Sequence, residues 1–178
     1  MNVAFLQREP DAADRERWRD GLASPPPAAR NQERLVLFVF RVGAERFGIE
    51  PANIDLAAPL PGLHSIPHRG AFLAGVVNVR GAVTLCFSLE DVLGSSPGPA
   101  TDRPMMLVLS HGGWRVACRV DEAFGVSEFD RASLLPLPAT SQAAGRSHLV
   151  GILPGGDGHD VGWLEAGSLF EAFDAAAR

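Results

Sequence analysis

Leu73-Ala-Gly-Val-Val-Asn-Val-Arg-Gly-Ala-Val-Thr-Leu-Cys-Phe-Ser-Leu-Glu-Asp-Val-Leu-Gly94 decides the fold of this chain. Gly75 to Val79 and Ala82 to Phe87 are two short apolar runs separated only by Arg80-Gly81. Val83, Leu85, Phe87 and Leu89 alternate with Ala82, Thr84, Cys86 and Ser88, the period-two pattern of a half-buried strand. Gly81 can take the positive φ that a tight connection demands. The stretch therefore predicts a β-hairpin, then one helical turn over Leu89 to Leu93 closed by Gly94. Asn78 and Arg80 are the polar residues of the hairpin; being two apart, they are expected on one face, the first place to look for function.

Outward from this hairpin the same grammar recurs. Leu35 to Val42 is a nearly continuous apolar run, expected to be a strand covered on both faces, and Phe47 and Ile49 mark its return strand after Gly43-Ala44. Asn53 to Leu60 is a third strand, broken by Pro59 and Pro61, and Ser95 to Arg103 is a Pro/Gly/Ser-rich divider. The second half repeats the first. Met105 to Leu109 turns at His111-Gly-Gly113 into a strand with Trp114, Val116, Cys118 and Val120 on one face, and Gly125 to Phe129 follows. Leu149 to Leu153 echoes Leu73 to Val77, Val161 to Leu164 echoes Leu85 to Leu89, and Ser168 with Glu171 predicts a capping box on a closing helix. Many short strands with Gly/Pro turns indicate an all-β protein with short helices, built as small closed barrels. Residues 1–34 form an N-terminal extension: a charged segment over Arg8 to Asp20 that fits a short helix, with Trp18 as a possible anchor, then the stiff linker Ser24-Pro-Pro-Pro27. The domain is expected over 35–178, with lobes at about 35–94 and 104–174.

Composition excludes several functions. A net charge of −5 with no basic cluster argues against nucleic acid as a partner. No apolar run reaches the roughly 20 residues of a membrane span, and no signal pattern opens the chain, so a cytoplasmic protein is expected. Cys86 and Cys118 sit in apolar runs and read as buried, reduced residues. His64 and His68 have helical zinc spacing, but Pro67 lies between them and breaks that helix. Gly155-Gly-Asp-Gly-His-Asp160 lacks the ligand pattern of a cation loop or phosphate cradle and reads as a hairpin turn. No nucleophile motif is present. The reading is a binding module without catalytic residues, metal or cofactor.

The run Gly75-Val-x-Asn78-x-Arg80-Gly81, followed by an apolar strand and a Leu-ending turn, resembles the core of CheW-like domains, the adaptors of bacterial chemosensory arrays, and the similarity extends over roughly Leu35 to Phe173. The resemblance implies two intertwined five-stranded SH3-like barrels. It also implies an adaptor coupling the cytoplasmic tip of a methyl-accepting chemotaxis receptor to the regulatory domain of a CheA-type histidine kinase, at membrane-associated arrays, without membrane insertion. On this basis Gly75, Val77, Asn78, Arg80, Gly81 and Glu90 are candidate contacts. For Arg80 two roles stand open: a structural pair with a carboxylate, or a partner contact. The sequence departs from the family where an acidic third-strand residue is replaced by Leu56, with Asp55 beside it. Phe87-Ser-Leu-Glu90 stands where Val-Asp-Leu-Arg is usual, so Glu90 could inherit the pairing with Arg80. His64-Ser-Ile-Pro-His-Arg69 looks more like Wsp-type alternative systems. Rival readings are a small-molecule-sensing β-barrel and a hydrolase using His64, His68 or Asp160.

Overall fold

The central hairpin forms where the alternation places it: β4 (Leu73–Val79) and β5 (Ala82–Ser88) pair antiparallel, with Val79 opposite Ala82. The computed structural model describes residues 33–67, 72–137 and 147–177, so Trp18, the helix and linker expected in the extension, and His68 lie outside the described residues. Around the hairpin stand β1 (Arg34–Val42), β2 (Glu45–Ile49) and β3 (Ile54–Pro59) from the first half. The second half supplies β6 (Met105–His111), β7 (Trp114–Val120), β8 (Glu122–Asp130), β9 (Leu149–Leu153) and β10 (Val161–Leu164). Among the described residues, the α-helices α1 (Leu89–Leu93) and α2 (Ala166–Ala177) follow β5 and β10.

The strands make two five-stranded sheets, in the orders β8-β1-β2-β10-β9 and β3-β6-β7-β5-β4. The orders are the same pattern twice. In each, an antiparallel hairpin from one half of the chain is flanked by a single strand and a second hairpin from the other half, the inner contacts β10·β2 and β5·β7 being parallel. The sequence segments at about 35–94 and 104–174 therefore do not coincide with the sheets, because each half's third and fifth strands hydrogen-bond to the other half's opening hairpin, and the fourth joins through the fifth.

Each sheet encloses its own core. Leu35, Leu37, Leu153 and Trp163 fill the first; Val77, Val79, Cys86, Met106, Val108 and Ala117 fill the second. A larger core joins Phe40, Phe47, Ile49, Phe87, Leu107 and Leu109 to Leu169, Phe170 and Phe173 of α2, with the Phe87 and Phe173 rings stacked at 4.7 Å. β1 is covered on both faces only over Val39 to Val42; nearer its start Val36 is exposed, because the large core does not reach that end. β8 runs beyond the expected Gly125 to Phe129. Helix α2 starts earlier than the expected capping box. The Glu165 carboxylate accepts the N–H groups of Gly167 and Ser168 at 2.9 and 2.6 Å, and the Glu165 carbonyl accepts that of Leu169, so Glu165 is the cap and Ser168 lies within the first turn.

Candidate functional site

The tip of the β4–β5 hairpin is a two-residue connection in which both Arg80 (φ 52°) and Gly81 (φ 88°) are left-handed, the geometry whose twist matches the flanking strands. The asparagine three residues before Gly81 locks the turn: Asn78 Oδ1 accepts the Gly81 N–H at 2.7 Å. Arg80 is consequently a turn residue rather than a strand neighbour of Asn78. Its side chain is exposed and makes no ion pair or hydrogen bond with any described residue. Directly across from Asn78, Val83 is 78% exposed, so the outward surface of the tip joins an exposed guanidinium to bare apolar area.

The remaining candidates separate. Val77 is 1% exposed within the second sheet's core and cannot meet a partner. Alternation with Asn78 already implied this, since neighbours in a strand face opposite ways. Gly75 is buried at φ 154°, where a Cβ would stand 2.3 Å from the His64 carbonyl oxygen. That carbonyl and the His64 N–H bond both backbone groups of Val76 at 2.9 Å, closing the edge of β4. Gly75 thus lets this bridging strand approach. Glu90 is exposed in the first turn of α1, whose Ser88 hydroxyl accepts the Asp91 N–H and whose Gly94 is left-handed. The seven residues of β5 separate Arg80 from Glu90 by about 20 Å, so the pairing expected between them does not form. The third-strand acid has a different partner: Asp55 binds the Arg115 guanidinium at 3.0 Å and the Ser110 hydroxyl at 2.7 Å. Val83 was missed by the sequence reading, although register across the hairpin would have found it.

Cys86 and Cys118 are buried. Burial pushes the Cys86 thiol up to about 11 and raises that of Cys118 as well. They occupy adjacent strands, but Cys86 lies beside Ala117 and Cys118 beside Phe87, so their side chains leave opposite faces of the sheet and cannot bridge. The Gly155 to Asp160 stretch joins β9 to β10 through a turn closed by the Gly158 N–H on the Gly155 carbonyl, and Asp157 in it pairs with Arg46. That arginine, first, and the His159 N–H hold the Asp157 carboxyl below its ordinary value. Among the described residues, no group of three or more His, Cys, Asp or Glu is placed to hold a metal, and no helix is long and apolar enough to cross a membrane.

The CheW-like domain model matches residues 36–174. The chain is 28% identical over 123 residues to the probable chemotaxis protein CheW of Rhizobium etli, covering 69% of this chain and 79% of that protein. It is 27% identical over 126 residues to the protein FrzA of Myxococcus xanthus, covering 71% and 78%. Among solved structures, the scaffolding protein TtCheW from Thermoanaerobacter tengcongensis superposes with a TM-score of 0.63 at 20% identity, covering 74% of this chain and 84% of that one. This likeness carries the fold.

Proposed function

The chain belongs to the CheW-like domain family, and from that premise we propose that it is a non-catalytic adaptor joining a chemoreceptor's cytoplasmic tip to the regulatory domain of a CheA-type histidine kinase. The observation that carries this reading is the hairpin tip, where an Arg80 guanidinium with no partner among the described residues stands beside exposed Val83 on a turn held by Asn78. A planar cation of this kind can make bidentate contacts to a carboxylate, and the neighbouring apolar area is removed from water on docking. Glu90, at the far end of β5, lies too distant to share that contact and would serve a second partner. An adaptor that holds two partners at once raises the effective concentration of each for the other, which suits assembly at a membrane-associated array.

The test is calorimetric titration of the full chain with the regulatory domains of its own organism's CheA-type kinases, and separately with receptor-tip fragments. Micromolar or tighter binding to one kinase, together with receptor binding that falls at least tenfold in Arg80→Gly, is expected. Absence of binding to every kinase would sink the coupling role.

A further inference from the structure

We propose that the outer edge of β8, unpaired among the described residues, is a second docking site, which takes an extended segment of a partner protein as an added strand, independently of the hairpin-tip reading. The Arg131 N–H donates to the Glu33 carbonyl at 3.1 Å, and β1 pairs with β8 in register from Arg34 opposite Asp130 to Val39 opposite Gly125. In an antiparallel ladder the residues that bond to the neighbour alternate with those that point away. Phe129, Ser127 and Gly125 therefore bond to β1, while Asp130, Glu128 and Val126 turn their N–H and C=O groups outward. Among the described residues, the Ser133 hydroxyl on the Asp130 carbonyl is the one hydrogen bond made to these groups.

The other three sheet edges are blunted. His64 bonds both backbone groups of Val76 on β4, and Leu135 does the same to Ile152 on β9. β3 holds the place in the second sheet that β8 holds in the first. The Leu60 N–H donates to the Pro104 carbonyl there, so the same alternation makes Pro59 and Ala57 the outward residues of β3, and Asp55 is the extra residue of a bulge. Proline has no N–H to offer, which leaves β3 a single regular outward position. β8 keeps three in succession.

The surroundings of β8 define the occupant. Beside its inward-facing residues lies a groove of about 550 Å³ lined by Val39, Phe124, Phe129 and Val161, with Pro154 to Asp157 as the far wall. On the opposite face Val126 is 59% exposed, diagonal across the ladder from exposed Val36. Three charged groups are matched, Glu128 with Arg34, Asp157 with Arg46 and Glu122 with Arg41, and Arg46 also lies over the Phe124 ring; the Asp130 carboxylate accepts the Ala132 N–H and has no ion pair among the described residues. The site thus asks for backbone donors and acceptors at strand spacing, with alternate large apolar side chains to enter the groove, and for no negative charge. A second copy of this chain fits poorly. Two-fold pairing of β8 about Val126 sets Glu122 against Asp130, pairing about Glu128 sets that carboxylate against itself, and pairing about Ser127 sets it against Val126.

Panning a phage-displayed library of random dodecapeptides on the full chain, with its Glu128→Pro variant as counter-target, tests this. Proline at that outward position removes one edge donor without touching the ladder to β1. The expected result is enrichment of peptides with alternating apolar residues that bind the variant at least tenfold more weakly. On binding, they should slow amide exchange at Val126 and Glu128 and leave Ser127 and Phe129 unchanged. The amide readout on the unaltered chain stands even if the proline variant does not fold. No enriched peptide, equal binding to both proteins where the variant is folded, or binding without protection at Val126 and Glu128 would each overturn the proposal. So would a dimer in sedimentation that protects those two amides without peptide, because the occupant would then be a second copy.

Discussion

At the residue scale, Arg80 holds two properties in tension. A non-glycine residue with positive φ is strained, and two-residue turns of this type favour Asn or Gly at its position. Because its side chain has no described partner, nothing in the fold repays the strain. Arg80→Gly should therefore leave the domain as stable or raise its unfolding free energy by about 0.5 kcal/mol, while weakening receptor binding. A clear fall in the melting temperature would instead assign Arg80 a structural role. Gly75 is the opposite case. Gly75→Ala places a methyl group 2.3 Å from a backbone oxygen and forces an L-residue to φ 154°, so thermal unfolding should register a loss of about 2 kcal/mol or more. Both residues sit in one recognisable sequence run, yet one serves the surface and the other the interior. The run itself was legible because a turn is a local object, fixed by neighbours in sequence. Which of its residues reach solvent depended on register across the hairpin, and Val77 went astray for that reason.

At the element scale, the helix that closes the chain depends on Glu165. Its carboxylate takes two orphan N–H groups of α2, and those bonds, from Ser168 first and Gly167 next, hold its carboxyl below the ordinary value. The sign follows directly. The lowered value in the folded protein means that the cap's contribution is complete above the usual carboxylate range and disappears as pH falls through the folded-state value. Glu165→Ala should cost about 1 kcal/mol at neutral pH and cost less in acid, as chemical unfolding at several pH values would reveal. His148 acts on a higher limb: burial lowers its affinity for a proton, so the unfolded chain protonates first and stability declines as pH drops below 6.5. The short helix α1 was readable from Leu89 to Gly94 because its cap and its left-handed stop are both preferred residue types. Glu165 is a less favoured cap, and the Ser168–Glu171 spacing presented the more familiar pattern three residues too late.

At the scale of the whole molecule, the duplicated grammar of the sequence is genuine, but the lobes it suggests are exchanged. The first hairpin, β1–β2, gains its sheet from β8, β9 and β10; the second, β6–β7, gains its sheet from β3, β4 and β5. Nothing local encodes this exchange, since the paired strands lie tens of residues apart and alternation fixes a face without fixing a neighbour. The consequence can be measured. A fragment spanning residues 1–100 contains two hairpins and β3 with no sheet to join, and a fragment spanning 101–178 is in the same position. An isolated hairpin is marginal at best, because it leaves one apolar face and both edges in water. Here Phe40, Phe47, Phe87, Leu107, Leu109 and Phe173 share one core drawn from both fragments. Each fragment alone should therefore lack a cooperative thermal transition, whereas an equimolar mixture should regain one together with the far-ultraviolet dichroism of the intact chain. If the 1–100 fragment instead unfolded cooperatively by itself, the exchanged pairing of β3, β4 and β5 with β6–β7 would not be what stabilises them, and an autonomous N-terminal lobe would have to replace it.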